Sequence, residues 1–81
     1  MTVTVKLFAV LRDLAGVDQV ALELPTGTGV ATAVDTIGQR FPATRRALTR
    51  AAAAVNLARV PLETVLHEGD ELALLPPVSG G

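Results

Sequence analysis

The sequence has no cysteine, tryptophan or tyrosine, and Phe8 and Phe41 are its only aromatic residues. Without thiols there is no disulfide, no cysteine nucleophile and no thiolate metal site, which suits a reducing compartment. Aromatic platforms for stacking bases are missing and the formal net charge is -1, so neither nucleic acid nor an anionic membrane surface is indicated as a partner. No stretch has the eighteen or more apolar residues of a membrane span. Met1-Thr2-Val3-Thr4-Val5-Lys6 lacks the charged start and long apolar run of a secretory signal. A cytoplasmic, soluble domain is the expectation. His67 is the single histidine, and no converging ligands accompany it, so it reads as a solvated turn residue.

What is present is apolar content near half of the chain, mostly Val, Leu and Ala, in 81 residues. That is enough for one domain with a small core and excludes intrinsic disorder. Val3, Val5 and Leu7 alternate with Thr2, Thr4 and Lys6, the period of a half-buried strand. Leu11, Leu14 and Gly16 predict one helical turn stopped by glycine. Val20, Leu22 and Leu24 form a second strand ended by Pro25. The period then changes: Val30, Val34, Ile37 and Phe41 share one face of a helix, with Thr28 or Gly29 as its cap. Pro42 closes it, and residues 43–50 predict a shorter helix carrying Leu48 inward. Short strands follow at Ala52–Val55 and Ala58–Val60, then the turn Glu68-Gly69-Asp70 and a last strand through Leu72 and Leu74.

This order predicts an α+β fold, a mixed sheet of four to five strands with a helix across one face. If the first strand pairs in parallel with the last, the result is the β-grasp, or ubiquitin-like, fold. By side-chain alternation, Phe8 and Leu75 would then lie near the strand ends where the C-terminal segment leaves, a plausible docking patch. The competing reading has Phe8 packing inward from the short helical turn.

The segment Pro76-Pro77-Val78-Ser79-Gly80-Gly81 is the most informative motif. With glycine at about 7% of average sequence, a chance Gly-Gly at a given site is roughly a one-in-two-hundred event. Residues with so little side chain can thread a narrow channel and present the α-carboxylate of Gly81. A frayed terminus is the bland alternative. Residues 1–76 are expected to form the β-grasp domain and 77–81 a flexible tail. Other sites are poorly supported. Asp13, Asp18, Asp35, Glu63, Glu68, Asp70 and Glu71 show no acid–base pairing. Gly27-Thr28-Gly29 lacks the spacing of a phosphate loop. Arg40, Arg45, Arg46 and Arg50 read as a solvated basic face or a contact for an acidic protein. A carboxylate is a poor acylating group until activated elsewhere, which points to a carrier or substrate protein rather than a self-contained enzyme.

Val5-Lys6-Leu7-Phe8-Ala9, Arg12-Asp13-Leu14-Ala15-Gly16, Ala54-Val55-Asn56 and above all Gly69-Asp70-Glu71-Leu72-Ala73-Leu74-Leu75-Pro76-Pro77-Val78-Ser79-Gly80-Gly81 resemble the small, sulfur-carrier subunits of molybdopterin synthase. The resemblance covers essentially the whole chain and implies a β-grasp fold. It implies that an adenylating enzyme uses ATP and Mg²⁺ to activate Gly81, and that a sulfur donor converts the adenylate to a thiocarboxylate. Sulfur would then pass to cyclic pyranopterin monophosphate inside the large synthase subunit, in a complex of two carriers and two large subunits. The carrier itself would be non-catalytic and hold no permanent cofactor. Phe8, Arg12 and Leu75 fall at positions resembling the family's partner-contacting surface, and Pro77, Val78, Ser79 and Gly80 at the threaded tail. Leu75 stands where an aromatic is frequent, and Arg59 where an apolar contact is common. Carriers for thiamine synthesis or RNA thiolation, ubiquitin-like modifiers and plain binding modules remain the alternatives; thiamine carriers are generally shorter where residues 43–50 stand.

Overall fold

The computed structural model describes residues 1–77. The expected tail residues Val78, Ser79, Gly80 and Gly81 lie outside the described residues. Alternation builds the first strand, β1 (Thr2–Leu7), with Val3, Val5 and Leu7 buried. An antiparallel partner, β2 (Gln19–Glu23), returns beside it with Val3 opposite Leu22. Three more strands complete the sheet: β3 (Ala52–Val55), β4 (Ala58–Val60) and β5 (Glu71–Leu75). Their order is β2-β1-β5-β3-β4, and β1 pairs with β5 in parallel, Val5 opposite Leu72 and Leu7 opposite Leu74. This is the β-grasp arrangement.

Between β2 and β3 the chain crosses one face of the sheet through α2 (Val30–Arg40), which buries Val30, Ala33 and Ile37. They meet Val3, Val5, Leu7, Leu22, Leu72 and Leu74 in one apolar core, joined by Leu11, Leu48 and Leu66. Val34 and Phe41, expected on the same helical face, are only partly buried at its margin. Of the two expected caps, the structure takes Gly29. Thr28 turns its hydroxyl back to donate to the Pro25 carbonyl at 2.6 Å, and Gly29 occupies the cap without a side-chain bond. The first free N–H groups of α2 find main-chain partners instead: Val30 donates to Thr64 O at 2.8 Å and Ala31 to Leu62 O at 3.0 Å.

Two helical segments also differ from the sequence reading. Rather than a single turn, α1 (Ala9–Ala15) spans seven residues, of which only Leu11 is buried while Leu14 faces outward. Gly16 ends it in the left-handed region at φ 79°, donating to Arg12 O at 2.8 Å. Residues 43–50 are not one helix. A 3₁₀ turn over Pro42–Thr44 leads into α3 (Arg45–Leu48), which does carry Leu48 inward. The break has a local cause. Thr44 is fully buried and its hydroxyl donates to Phe41 O at 2.6 Å, tightening the chain after Pro42.

Candidate functional site

All three helices lie on one side of the sheet, so register alone defines what the other side displays. Residues paired across neighbouring strands point the same way. One transverse row on the open face therefore runs Gln19, Lys6, Ala73, Ala54, Arg59 from β2 to β4. The next row toward the end of β5 contains Leu75 and Ala52. Since Leu7 stands opposite Leu74, the residue after β1, Phe8, comes level with Leu75. Alanines at 52, 54 and 73 keep the middle of this face shallow.

The chain turns sharply after Phe8. Phe8 is still extended at φ -122° and ψ 154°, whereas Ala9 sits in the left-handed region at φ 50°. That corner keeps Phe8 out of the core: it is 41% exposed and absent from the buried cluster. The inward-packing alternative does not hold. Leu75 is half-buried at the end of β5, followed by half-buried Pro76 and exposed Pro77. Arg12 lies on α1, one turn beyond Phe8, whose carbonyl accepts its backbone N–H at 3.4 Å. Its guanidinium is 3.8 Å from the Asp13 carboxylate, and with both side chains exposed this pair contributes little. The structure thus brings Phe8, Leu75 and Pro77 to one end of the sheet, with Arg12 one helical turn from Phe8.

The opposite end of β5 is held by a polar clip that the sequence reading did not anticipate. Asn56 Nδ2 donates to Asp70 Oδ1 at 3.0 Å, the His67 backbone N–H donates to Asp70 Oδ2 at 2.8 Å, and the Glu71 N–H donates to Asn56 Oδ1 at 3.0 Å. Asp70 is therefore a structural carboxylate. An Asn in a hairpin turn and a Gly-Asp before a strand were visible signals, but their meeting depends on long-range pairing. Beside the clip, Lys6 Nζ lies 3.4 Å from Glu71 Oε1 on the open face.

The remaining candidates do not assemble into a catalytic centre among the described residues. His67 has a 78% exposed side chain, and no group of three or more potential metal ligands is found there. Gly27-Thr28-Gly29 precedes a helix whose leading donors are already used by Leu62 and Thr64, so it offers no vacant anion cradle. Arg45 donates through Nε to Gly38 O at 3.1 Å, and Arg40 lies 5.7 Å from the centre of the Phe41 ring. Arg46 and Arg50 are exposed. No helix among the described residues is long and apolar enough to cross a membrane.

Known proteins are similar to this chain in sequence and architecture. The molybdopterin synthase sulfur carrier subunit of Mycobacterium tuberculosis is 43% identical over 60 residues, spanning 74% of this chain and 72% of that protein. The crystal structure of SAMP1, small archaeal modifier protein 1, from Haloferax volcanii superimposes with a TM-score of 0.88 at 31% identity, covering 100% of both chains. A chain from the complex of subunits 1 and 2 of the Helicobacter pylori molybdopterin-converting factor gives a TM-score of 0.69 at 27% identity, again covering 100% of each. The ThiS family model matches residues 5–81. With a β-grasp sheet, an apolar corner at the end of its central strand and a family match reaching Gly81, this chain belongs to the ThiS family.

Proposed function

We propose that the chain is a sulfur carrier in molybdenum cofactor biosynthesis and that Gly81 is its reactive group. The observation that carries this reading is the junction at the end of β5: a central strand delivers Pro76-Pro77 beside the exposed Phe8 and half-buried Leu75. The rigid sheet supplies the address and the residues that follow supply the chemistry. In this reading residues 1–76 are the domain and 77–81 the tail, working in the cytoplasm. The relatives named as molybdopterin synthase carriers support the pathway.

An adenylating enzyme joins the Gly81 carboxylate to AMP from Mg²⁺-ATP and releases pyrophosphate. A sulfur donor then displaces AMP, leaving a thiocarboxylate. The charged carrier docks through Phe8, Arg12 and Leu75 on the large synthase subunit. Pro77, Val78, Ser79 and Gly80 thread into that subunit, where sulfur passes to cyclic pyranopterin monophosphate. Stiff prolines followed by residues of little bulk fit such threading. Mass spectrometry after incubation with the adenylating enzyme, ATP and a sulfur source should show one oxygen replaced by sulfur at Gly81. An unmodified terminus, under conditions that charge a known carrier, would refute the reading.

The likeness to SAMP1 favours one second reading, a ubiquitin-like modifier joined through the same activated glycine to lysines. Isopeptide adducts on a tagged chain recovered from cells would distinguish it.

A further inference from the structure

Two residues on the β3–β4 hairpin have no use inside the domain. The hairpin closes through Asn56 at φ 49° and Leu57 at φ 74°, two consecutive left-handed residues. Asn-Gly is the favoured pair for such a turn, because the second position needs a residue without a Cβ clash. Asn56 suits its place and is held by the clip to Asp70 and Glu71. Leu57 does not. A bulky side chain in the left-handed region is a genuine outlier, and Leu57 is 92% exposed, so burial within the chain offsets none of its strain.

Two positions further, Arg59 is exposed on β4, the edge strand, at the end of the row that includes Lys6, Ala73 and Ala54. The two cations of that row differ. Lys6 is neutralised by Glu71 at 3.4 Å, whereas Arg59 forms no ion pair among the described residues. Between them the alanine floor leaves a shallow approach to the guanidinium. This row lies next to that of Leu75, and Arg59 stands two strands, roughly 10 Å, from β5. A standard protein interface buries about 800 Å² on each side, which reaches both features at once.

We propose that the β3–β4 hairpin selects the protein partner, with Leu57 as an apolar anchor and Arg59 as a cation for a carboxylate on that partner. The occupant is the subunit that accepts the tail, presenting an apolar pocket for Leu57 beside an Asp or Glu that can take the planar guanidinium in a bidentate pair. The inference rests on the sulfur-carrier reading for the partner's identity. It adds which partner surfaces fit.

The test measures affinity of the full chain for the large molybdopterin synthase subunit from the same organism, by calorimetry at low and high salt. Thermal unfolding of each variant runs beside it. Leu57→Gly should melt at or above the parent yet bind roughly tenfold more weakly, the loss expected of a buried anchor. Leu57→Asn, which also tolerates the left-handed region, should weaken binding similarly. Arg59→Ala should flatten the salt dependence, and Arg59→Glu should lose at least about tenfold more through like-charge repulsion. If the parent binds and these variants match its affinity and salt dependence, the hairpin proposal falls while the carrier reading stands. If the parent does not bind the large subunit, both fall.

Discussion

The Asn56–Asp70 clip should behave as one energetic unit. Asp70 accepts two hydrogen bonds, from the Asn56 amide at 3.0 Å and the His67 main chain at 2.8 Å, with its side chain only 13% exposed. Hydrogen bonds to a charged group contribute about 1.5–3 kcal/mol each when well buried. Partial solvent access at this rim favours the low end, so Asp70→Ala should cost about 2–3 kcal/mol. Asn56→Gly keeps the left-handed turn while removing the bonds to Asp70 and to the Glu71 N–H, at a similar expected cost of about 2 kcal/mol. If the Asn56–Asp70 bond is the shared element, the double variant should lose less than the sum by about 1–2 kcal/mol. Urea titrations of all four proteins, read by circular dichroism, give the cycle. For a domain of this size each kcal/mol moves the thermal midpoint by about 4–8 °C, so the single variants are readily resolved. A coupling below about 0.3 kcal/mol, the ordinary error of additivity, would refute the clip as a unit.

Further expectations follow from the two sides of the sheet. Ile37→Asp places a carboxylate at a fully buried position with no cation in the surrounding apolar core, and circular dichroism should show an unfolded chain at neutral pH. Phe8→Ala lies outside that core, so its thermal midpoint should stay within a few degrees of the parent while affinity for the large synthase subunit falls at least several-fold; unchanged affinity would remove Phe8 from the docking surface. Deleting Gly81 should abolish sulfur loading as read by mass spectrometry. The midpoint should not change, since the core described runs from Val3 to Leu74. Gly80→Val should slow adenylation in a pyrophosphate-release assay through bulk next to the reacting carbon.

Sequence periodicity carried the local structure well where one face is strictly apolar. Val3, Val5 and Leu7 are buried as alternation requires, and Ile37 is the centre of the helical stripe. It fell short at α1, read as a single turn stopped by Gly16, because with Leu14 facing outward Leu11 alone marks the inner face of a seven-residue helix. At the start of α2 the sequence left Thr28 and Gly29 both open as caps, and the structure takes Gly29, because the Thr28 hydroxyl donates to the Pro25 carbonyl instead of accepting from the helix N–H groups. Strand β3 is nearly all alanine and gives no alternation to read, so its inner residue Ala53 and its outer residue Ala54 look alike in the sequence. The candidate corner was legible as a consequence of parity, given the parallel pairing of β1 with β5. That pairing came from fold analogy, since periodicity does not encode partners. The row ending at Arg59 required the register of four strand pairs and lay beyond any local pattern.

The parallel pairing also fixes when the domain can exist. Thr4 and Glu71 are neighbours in the sheet although sixty-seven positions apart in the chain, and β5 lies between β1 and β3 at the centre of the order. During synthesis, β1, β2 and β3 emerge with the middle place still vacant, and no continuous sheet can close until β5 arrives. Such distant closure makes folding slower than local helix packing would. Folding is thereby tied to the segment that leads directly into Pro76 and Pro77. A ribosome stalled before β5 leaves the β1–β2 and β3–β4 pairs unjoined, so a chain truncated there would lack both the continuous sheet and the corner formed by Phe8 and Leu75.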